Sequence, residues 1–503
     1  MIVKLRRTWK NTIKKYRTQP LKYVEPECLE DIREIIREAE KNGFPVRAVG
    51  GGHSFSNVAI TGGYLLNLKR LNRIAEPDVS QLKTAGYAHF SDYAHFTQAE
   101  AGITIEAFNQ KMEERGLCVQ NMGGIDNQTL AGAMSTGTHG TGIELPAFYG
   151  MMRSILLVGS DALVYRVEPS NGITDPLKHS EPGVTLIQND DRFNSLLVNL
   201  GCMGIIYSLI MELEPMYWLK ESKELCYWHE VKEMLADRSL FETDGEGKQK
   251  YRGIMIQMTP YPGKNGHRRC IIVRHQLLPG KPRFKFGDLF RNIFTRLGTM
   301  PVFYWISVAL VRFIPKAVPW LINNSLKSLK DRSYINKGYK VLYQGVEYVK
   351  IRAYDCEFAF DMKDNAFIAA IDELMDRALY LAKNHKLYQS APFGVRFVKG
   401  SDAFMCPSYH KTACYIDTPF LLHTIGSDEM LNQYQDAMFR FDGIPHWGKI
   451  HNRLFNYPEK MTQFYPDAAR WLESYHFFNP RGTFTNDFST RLVTSFEQQK
   501  ASV

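Results

Sequence analysis

Two glycine-rich segments of the sequence carry the residue types that hold an anion. The first consists of Gly50, Gly51, Gly52, His53 and Ser54, and it directly follows a short apolar stretch, Phe44–Val49, that predicts a strand. Because glycine has no Cβ, its backbone N–H group can approach a phosphate closely. Taken alone, such a loop is more often a tight turn than a binding site.

The second segment is longer and mixes glycines with hydroxyl side chains. It runs from Gly123 to Gly132 and continues from Ser135 to Gly142. Free amides and hydroxyls at this density suit a pyrophosphate. Neither segment is a G-x-G-x-x-G that opens a helix, and the sequence has no G-K-[ST], so the Rossmann and NTPase interpretations fail. Together the two segments predict a dinucleotide site.

The composition is that of an ordinary folded protein. Of the 503 residues, 44% are hydrophobic and 23% are charged, and the net charge is +9 with histidine neutral. These values exclude a disordered tail, a collagen-like fibre and a small disulfide scaffold, and the length predicts about two to four domains. The cysteines are scattered without a C-x-x-C pair, which argues against a zinc site and indicates a reducing compartment. No apolar segment follows the basic N-terminus, so we expect no secretory signal.

The elements that position the two segments alternate between helices and strands over about the first 200 residues. Apolar residues at helical spacing predict helices over 29–42 and 103–115, each ended by a glycine. Strands are predicted at Phe44–Val49, Tyr64–Leu68, Ile205–Leu213 and, on either side of a turn at 159–161, within Ile155–Val167. Beyond Pro215 the predicted elements are longer, with strands at Gly253–Met258 and Ile271–Gln276 and an amphipathic helix at Ala366–Lys383.

The positive charge is concentrated in one region. Between Lys264 and Arg332 there are 14 lysines and arginines against two acids, so the rest of the chain has a net charge of −3. This region contains the longest apolar run, Gly298–Val311, which is shorter than the about 20 residues that span a bilayer. Its basic and aromatic residues favour peripheral contact with an anionic membrane through residues 281–322. A buried helical hairpin is the alternative, and nucleic acid is a weaker one, because an apolar run does not bind phosphate.

Two further motifs follow in chain order. Pro445, His446, Trp447, Gly448 and Lys449 form an H-W-G-K motif, and Asn479–Phe484 reads N-P-R-G-T-F. With the V-R-A-V-G-G-G-H-S and S-T-G-T-H-G-T-G stretches of the two glycine-rich segments, these motifs resemble those of the vanillyl-alcohol-oxidase-type FAD-linked oxidases, and within them the aldonolactone oxidase branch. The resemblance covers nearly the whole chain apart from about residues 220–350.

The resemblance implies an α+β fold with two parts. These are a two-subdomain FAD-binding domain of the PCMH type and an antiparallel-sheet cap domain that carries the substrate. We expect the FAD-binding domain at residues 1–215 and the cap at 216–450, with a basic, apolar helical insertion at about 264–335. A C-terminal segment, 451–503, is expected to return to the FAD-binding domain.

The resemblance also implies roles for individual residues. His53 matches the histidine that binds the flavin covalently, although it can instead only hydrogen-bond phosphate. Lys449 matches a lysine that stabilises the charge of the reduced flavin, Arg396 matches an arginine that orients the substrate, and His446 completes the predicted catalytic set. The predicted FAD contacts are Gly50, Gly51, Gly52, His53, Ser54, Phe55, Gly123, Gly124, Ile125, Thr129, Gly132, Thr136, Gly137, Thr138, His139, Gly140, Ile205 and Lys449.

The sequence departs from the family pattern at two glycines. Gly394 stands where the family has a glutamate two residues before the arginine, and Gly124 stands where several members have a serine. We expect these glycines to enlarge the pocket and remove hydrogen-bonding groups, which favours a bulkier or less polar alcohol. Glu357 or Asp402 is an alternative source of the carboxylate. Gly123 is small enough to admit oxygen beside the flavin, which favours an oxidase over a dehydrogenase.

The implied function is oxidation of a CH–OH group by hydride transfer to FAD, with O2 as the acceptor and H2O2 as the product. The substrate is expected to be a sugar lactone, a polyol relative or a bulkier alcohol. Two alternatives stay open: a dehydrogenase that passes electrons to a quinone or cytochrome, and a flavin- or lipid-surface-binding protein without catalysis. We expect a cytoplasmic or peripherally membrane-associated protein with no metal and no nucleic-acid partner.

Overall fold

The computed structural model describes residues 1–83, 93–282, 301–344 and 353–500. In these ranges the N-terminal strands are β1 (Ile2–Leu5), β2 (Trp9–Lys10), β3 (Arg17–Thr18), β4 (Lys22–Glu25), β5 (Val46–Val49), β6 (Tyr64–Asn67), β7 (Ile74–Ala75), β8 (Phe96–Glu100), β9 (Leu117–Cys118), β10 (Met152–Val158), β11 (Val164–Glu168), β12 (Val184–Gln188), β13 (Ile205–Glu212) and β14 (Glu214–Pro215). The later strands are β15 (Trp218–Tyr227), β16 (Gly253–Pro262), β17 (Arg268–Leu278), β18 (Ser333–Lys337), β19 (Ala353–Tyr354), β20 (Glu357–Asp361), β21 (Phe393–Val398), β22 (Ala413–Asp417), β23 (Phe420–Leu421) and β24 (Ile444–Pro445).

The helices of the described ranges are distributed along the whole chain. They are α1 (Leu29–Lys41), α2 (Ile105–Glu114), α3 (Leu130–Ser135), α4 (Asp190–Leu197), α5 (Trp228–Ala236), α6 (Pro301–Phe313), α7 (Val318–Ser328), α8 (Gly338–Leu342), α9 (Ala366–Asn384), α10 (Ser427–Arg440), α11 (Pro458–Phe464), α12 (Ala468–Phe478) and α13 (Asp487–Lys500). The helices and strands predicted from periodicity are confirmed, with ends that differ by a few residues.

Helix α1 illustrates why the local predictions hold. Ile32, Ile35, Ile36 and Ala39 recur at helical spacing and are all buried. Gly43 follows the helix with a φ of +70°, in the left-handed region where glycine is the least strained residue. The chain can therefore turn at once into β5, which leads to the first glycine-rich segment.

Two larger sheets lie in the described part of the N-terminal half. The first has the order β1-β4-β6-β5, in which β4, β6 and β5 run parallel. The second has the order β12-β11-β10-β13-β8-β7 and is antiparallel except for the β11–β12 pair. The first segment follows β5 of the first sheet, and the second leads through α3, which contacts β13 of the second sheet.

The residues after Pro215 form a different kind of sheet. Within the described ranges it has the order β18-β15-β17-β16-β21-β22-β20-β24, and all its neighbours are antiparallel. Because each pairing fixes a register, residues far apart in sequence lie opposite one another on one face. The domain boundaries given above stay predictions. This sheet accounts for the longer elements that the sequence predicts beyond Pro215.

The C-terminal segment contacts the first sheet through a buried arginine. The Arg47 guanidinium donates to the backbone carbonyls of Gly201, Leu200 and Phe484 at 2.7–2.8 Å and also to that of Val58. Burial lowers the pKa of Arg47 to about 10. Four carbonyls from three separate parts of the chain thus meet at one side chain, beside the first glycine-rich segment.

The basic insertion folds as a bent pair of helices on the large sheet. Val311 of α6 and Val318, Ile322 and Leu326 of α7 are buried against the sheet. The opposite side is apolar and exposed at Trp305, Ile306, Phe313, Ile314 and Trp320. The helical prediction is confirmed. One side of the helix pair is buried and the other side is exposed. Residues 283–300 of the predicted membrane segment lie outside the described residues.

In the part of the chain that the structure describes, no single helix has the length and apolarity to cross a bilayer. Trp305–Phe313 and Pro315–Ser328 reach that length and composition only when taken together, and they are bent by 116° relative to each other.

Replacing Arg47 with methionine tests how much the fold depends on this side chain. Arg47→Met removes the donor from the carbonyls of Leu200, Gly201 and Phe484, at about 1–3 kcal/mol each, so we expect the free energy of unfolding to fall by at least about 3 kcal/mol. Chemical denaturation followed by circular dichroism measures it. Arg37→Met, at a half-exposed position on α1, is the matched control, and equal denaturation midpoints for the two variants would contradict the bracing role.

Candidate active site

The first glycine-rich segment is packed too closely for any side chain. A Cβ on Gly50 would lie 2.0 Å from the Thr129 Oγ1, and a Cβ on Gly51 would lie 2.5 Å from the Asn127 carbonyl oxygen. Gly52 has a φ of +69°, which L-residues rarely adopt. The glycines are therefore required because the second segment lies directly against the first.

Thr129 connects this packing to helix α3. Its hydroxyl accepts a hydrogen bond from the Gly132 N–H at 3.3 Å and caps the helix. A cavity of about 110 Å³ opens between the helix start and the first segment, and it is partly open to solvent. Of the predicted FAD contacts, the cavity is lined by Gly50, Gly51, Gly52, His53, Ser54, Thr129, Gly132 and Thr136.

The second segment continues onto the large sheet. A Cβ on Gly140 would lie 1.9 Å from the Asn121 Oδ1, and the His139 ring packs on Tyr415 with 3.8 Å between centroids. The Gly142 N–H then donates to the Phe397 carbonyl at 2.6 Å. The predicted contacts Gly137, Thr138, His139 and Gly140 therefore lie between the cavity and the sheet rather than on the cavity wall.

The H-W-G-K motif lies against the first segment from the other side. The Phe55 N–H donates to the Gly448 carbonyl at 2.8 Å, and the Ser56 hydroxyl donates to the Trp447 carbonyl at 3.2 Å. The Lys449 ammonium lies 5.6 Å from the centre of the Phe55 ring. The structure thus brings His53 and Lys449, about 400 residues apart in sequence, to adjacent backbone segments.

Lys449 is held by two buried carboxylates. Its Nζ is 2.6 Å from the Asp355 Oδ2 and 3.8 Å from the Glu357 Oε2. Burial alone would lower the pKa of Lys449, but the charges of Asp355 and Glu357 outweigh it and raise that pKa above its usual value. The ammonium group is therefore a permanent charge at any physiological pH.

The two carboxylates differ in how completely they are paired. Burial alone would raise the pKa of Glu357, but His139 and Lys449 hold it well below the usual range. Burial raises the pKa of Asp355, and its Oδ1 has no hydrogen-bond partner in the described chain. A buried oxygen of this kind is costly unless a ligand donates to it.

Two histidines and Glu357 form a compact buried cluster. His139, Glu357 and His446 have potential ligand atoms within 4.8 Å of one another. The His446 Nε2 lies 3.0 Å from the Gly137 carbonyl, and its Nδ1 accepts from the Gly448 N–H at 3.0 Å. The His139 Nδ1 is 3.1 Å from the Gly140 carbonyl, and its Nε2 is 3.3 Å from the Glu357 Oε1. All four ring nitrogens have protein partners, so the cluster holds the second segment against the sheet and the H-W-G-K motif.

This arrangement bears on the predicted catalytic role of His446. Burial lowers the pKa of His446 to about 3, so the ring is neutral. With both nitrogens hydrogen-bonded to backbone, it has no free atom with which to take a substrate proton. The geometry therefore favours a positioning role for His446 over a catalytic one.

Arg396 lies on β21, on the face of the sheet that carries Lys449. Its Nη2 donates to the Gln344 Oε1 at 3.3 Å. The same Gln344 oxygen lies 3.0 Å from where a Cβ on Gly124 would stand, and the Gln344 N–H donates to the Gly124 carbonyl at 3.2 Å. Gln344 therefore fills the space beside Gly124.

The space beside Gly394 is also filled. A Cβ on Gly394 would lie 1.9 Å from the Asp417 Oδ1, because Asp417 of β22 is directly opposite Gly394 in the register. The expectation that the two glycines strip the pocket of polar groups is therefore wrong. Asp402, one proposed source of the carboxylate, is 78% exposed and pairs with His410, so it does not reach this site.

The remaining predicted contacts are near the site but off the cavity wall. His53 lines the cavity, and burial lowers its pKa, so its imidazole is neutral. Ile205 is buried at the start of β13, and its neighbours Gly204 and Ile206 line the cavity instead. A Cβ on Gly123 would lie 3.0 Å from the Thr138 Cγ2, a tight contact. The predicted FAD roles of Phe55, Gly123, Gly124 and Ile125 stay predictions.

Sequence reasoning missed several residues of the site. These are Arg47 and Gly201 on the cavity wall, and Asp355, Gln344 and Asp417 on the side of the sheet. A polar residue at the edge of a buried strand is the one signal that Asp355 and Asp417 share, and it is too common to identify a site. Their positions follow from strand register, which the sequence does not show.

Comparison with known proteins agrees with the architecture. Residues 20–167 match a family described as FAD binding domain, and residues 290–492 match one described as D-arabinono-1,4-lactone oxidase. The chain is 23% identical over 489 residues to L-gulonolactone oxidase of Mus musculus, covering 95% of this chain and 97% of the relative. It is 24% identical over 492 residues to L-gulono-1,4-lactone dehydrogenase of Mycobacterium tuberculosis, covering 96% and 99%.

A solved structure shows the fold. A solvent-stable cholesterol oxidase superposes on 98% of both chains with a TM-score of 0.72 and 15% identity. The predicted fold class, a PCMH-type FAD-binding domain with an antiparallel-sheet domain, is confirmed.

The close contact between the glycine-rich segments makes Gly50 a sharp test of the cavity. Gly50→Ala forces a methyl group to within 2.0 Å of the Thr129 hydroxyl, so the two segments must separate. We expect the fraction of purified protein that carries FAD, measured by absorbance, to fall at least about tenfold, since the loss of a few hydrogen bonds at about 1 kcal/mol each exceeds that factor. Gly62→Ala, at a position with open space around it, should keep wild-type FAD content. Equal FAD content in both variants would contradict the assignment.

Proposed function

We propose that this chain, a member of the aldonolactone oxidase branch of the FAD-linked oxidases, oxidises a CH–OH group of a sugar lactone. Two matched families and full-length relatives support the class of reaction. The observation that carries the proposal is the permanently charged Lys449. It lies between two buried carboxylates and the segment that carries His53.

The residues present fit FAD. The glycine-rich segments line a cavity, and at Gly50 and Gly51 the packing excludes a Cβ. Lys449 supplies a cation, and the unpaired Asp355 Oδ1 supplies an acceptor for an N–H donor. When bound, FAD would supply the acceptor for the hydride of the substrate carbon.

The chain's own residues then hold charge and orient the substrate. Lys449 stabilises negative charge where the cofactor is reduced, and its carboxylate partners keep it from moving toward solvent. Arg396 donates to a substrate oxygen, and its bond to Gln344 limits the orientation of the guanidinium group. His139 and His446 keep the second segment against the sheet.

The polarity of this side of the sheet supports a polar substrate. Asp355, Glu357, Asp417, Arg396 and Gln344 all lie on the side of Lys449. A hydrophobic alcohol would offer no hydrogen bond to the unpaired Asp355 Oδ1 or to the Asp417 carboxylate, at a cost in free energy that a polyhydroxylated lactone avoids. We therefore favour the sugar lactone over the bulkier alcohol.

Oxygen is the acceptor that we propose. A relative that matches nearly the whole chain is named an oxidase, which supports this acceptor. One full-length relative is named a dehydrogenase, so a quinone or cytochrome acceptor is the competing proposal.

Anaerobic mixing tests the substrate and the acceptor together. We expect L-gulono-1,4-lactone or D-arabinono-1,4-lactone to bleach the flavin of the purified holoenzyme, and air to restore its colour with one H2O2 per lactone oxidised. Cholesterol is the apolar comparison alcohol. Bleaching by cholesterol but by neither lactone would contradict the substrate, and slow recovery in air would favour the dehydrogenase.

A covalent bond between His53 and FAD is part of the proposal. Burial keeps the imidazole neutral, and a neutral ring nitrogen is the nucleophile that such a bond requires. The bond would replace one C–H bond of the flavin 8α-methyl group, with the proton lost to solvent and the electron pair left on the flavin, from which O2 would remove it. We expect the yellow colour of the wild type to remain with the polypeptide after acid precipitation, and His53→Ala to release it into the supernatant. Release of the colour from the wild type would show that His53 only contacts the cofactor.

We also propose peripheral contact with an anionic membrane, on the cytoplasmic side, through the bent helix pair. Trp305, Phe313 and Trp320 are 60–76% exposed, and Arg312 and Lys316 lie among them in a region of net charge +12. Amphipathic surfaces of this composition bind the headgroup region of anionic bilayers. The scattered cysteines favour the reducing compartment.

Vesicle sedimentation tests this contact. We expect the holoenzyme to pellet with vesicles that contain about 30% phosphatidylserine, less so at high salt, and the double variant W305S/W320S to stay in the supernatant. Leu177→Ser is the matched control, since Leu177 is 96% exposed away from the helix pair. Equal pelleting of W305S/W320S and L177S would contradict the proposed surface.

A further inference from the structure

Three adjacent strands place Asp417 at the centre of a polar row. In the sheet order β21-β22-β20, Asp417 is directly opposite Gly394 on one side and Glu357 on the other. Side chains directly opposite one another on antiparallel strands point to the same face. The missing side chain at Gly394 leaves the space that the Asp417 carboxylate occupies.

The Asp417 carboxylate has acceptor capacity to spare. Within the described residues it forms no hydrogen bond or ion pair, whereas Glu357 is bonded to His139 and Asp355 is bonded to Lys449. Arg396, two residues beyond Gly394 on β21, and Lys449 provide the positive charges that act on it, and Glu357 and Asp355 provide the negative ones.

Arg396 has a second polar neighbour from a different element. Gln344 follows α8 and reaches Arg396 with its Oε1, in the space beside Gly124. A carboxylate, a guanidinium group and a carboxamide from three separate segments therefore surround one place. An acceptor next to a planar donor suits a ligand that carries a hydroxyl group beside another oxygen.

We propose that Asp417 is the substrate-binding carboxylate of this enzyme, where it accepts a hydrogen bond from a lactone hydroxyl group while Arg396 donates to a neighbouring oxygen. This inference rests on the proposed function. In this assignment Asp417 of β22 makes the substrate contact that Gly394 of β21, which has no side chain, cannot make. The substrate class it selects is a small molecule with adjacent oxygens, such as an aldonolactone.

The charge state of Asp417 supports the assignment. Burial, followed by the charge of Glu357, raises the pKa of Asp417 to about 6. The carboxylate is ionised above that pH and accepts a hydroxyl hydrogen bond there. As the pH falls through about 6 it is protonated, and the lactone should bind less tightly.

The first experiment separates binding from folding. Stopped-flow reduction of the holoenzyme by L-gulono-1,4-lactone gives the half-saturating concentration and the limiting rate. We expect Asp417→Asn to raise the half-saturating concentration by about 10- to 100-fold, as for loss of a charge-assisted hydrogen bond. It should also remove the rise that the wild type shows below pH 6. Asp402→Asn, an exposed carboxylate, is the control and should behave as wild type.

The second experiment moves the carboxylate to the facing strand. Asp417→Gly clears the space beside position 394, so D417G/G394E should recover most of the lactone affinity that D417G loses. G394E alone should lose affinity, because its side chain would meet the Asp417 carboxylate. FAD content and thermal midpoint are measured for every variant, so that a variant that fails to fold is identified. If the glycine variants fail to fold, the half-saturating concentration of Asp417→Asn decides whether Asp417 binds the lactone.

Failure of this inference is distinct from failure of the proposed function. If neither L-gulono-1,4-lactone nor D-arabinono-1,4-lactone reduces the wild-type flavin, the proposed function fails and this assignment fails with it. If the wild type is reduced but Asp417→Asn has the same half-saturating concentration and the same pH profile, only the role of Asp417 is overturned.

Discussion

The ion pair between Lys449 and the buried carboxylates Asp355 and Glu357 is the interaction on which the rest of the site depends. A partly buried ammonium group is stabilised by opposite charges at close range, and here they come from residues at the start of β20. Glu357 extends the network to His139 and so to the second glycine-rich segment. The backbone beside Lys449 extends it to Phe55 and the first segment. One charge cluster thereby fixes the sheet relative to the cavity between the segments.

The sequence identifies the parts of this site that are local and misses those that depend on register. The loop of Gly50–Ser54 and the motif that ends at Lys449 are continuous stretches, so residue type and order suffice to recognise them. Asp417 lies opposite Gly394 only because β21 and β22 pair at one offset. The sequence alone therefore predicts empty space beside Gly394, whereas the Asp417 carboxylate fills that space in the structure. The motif predicts a catalytic role for His446. The orientation of its ring, however, depends on hydrogen bonds with the backbone of Gly137 and Gly448, which the sequence does not show.

The helix pair of the insertion shows a similar limit. Its apolar residues predict helices, and the sequence alone favours either a membrane surface or a core. In the fold the residues divide between both, since Val318 and Leu326 pack on the sheet while Trp320 is exposed. The helices pack on Met255 and Val273, and Met255 is directly opposite Arg396 in the register, so the helix pair covers another part of the face that carries Arg396. The segment therefore contributes to the core and still presents an apolar surface.

The reduction potential of the bound flavin tests the central role of Lys449 most directly. If Lys449 is held charged beside the cofactor, Lys449→Met should lower the midpoint potential by at least about 30 mV, which is a tenfold change for a two-electron couple. Lys460→Met, at a surface ion pair with Asp442, should leave the potential unchanged. An unchanged potential in Lys449→Met protein with full FAD content would contradict the account.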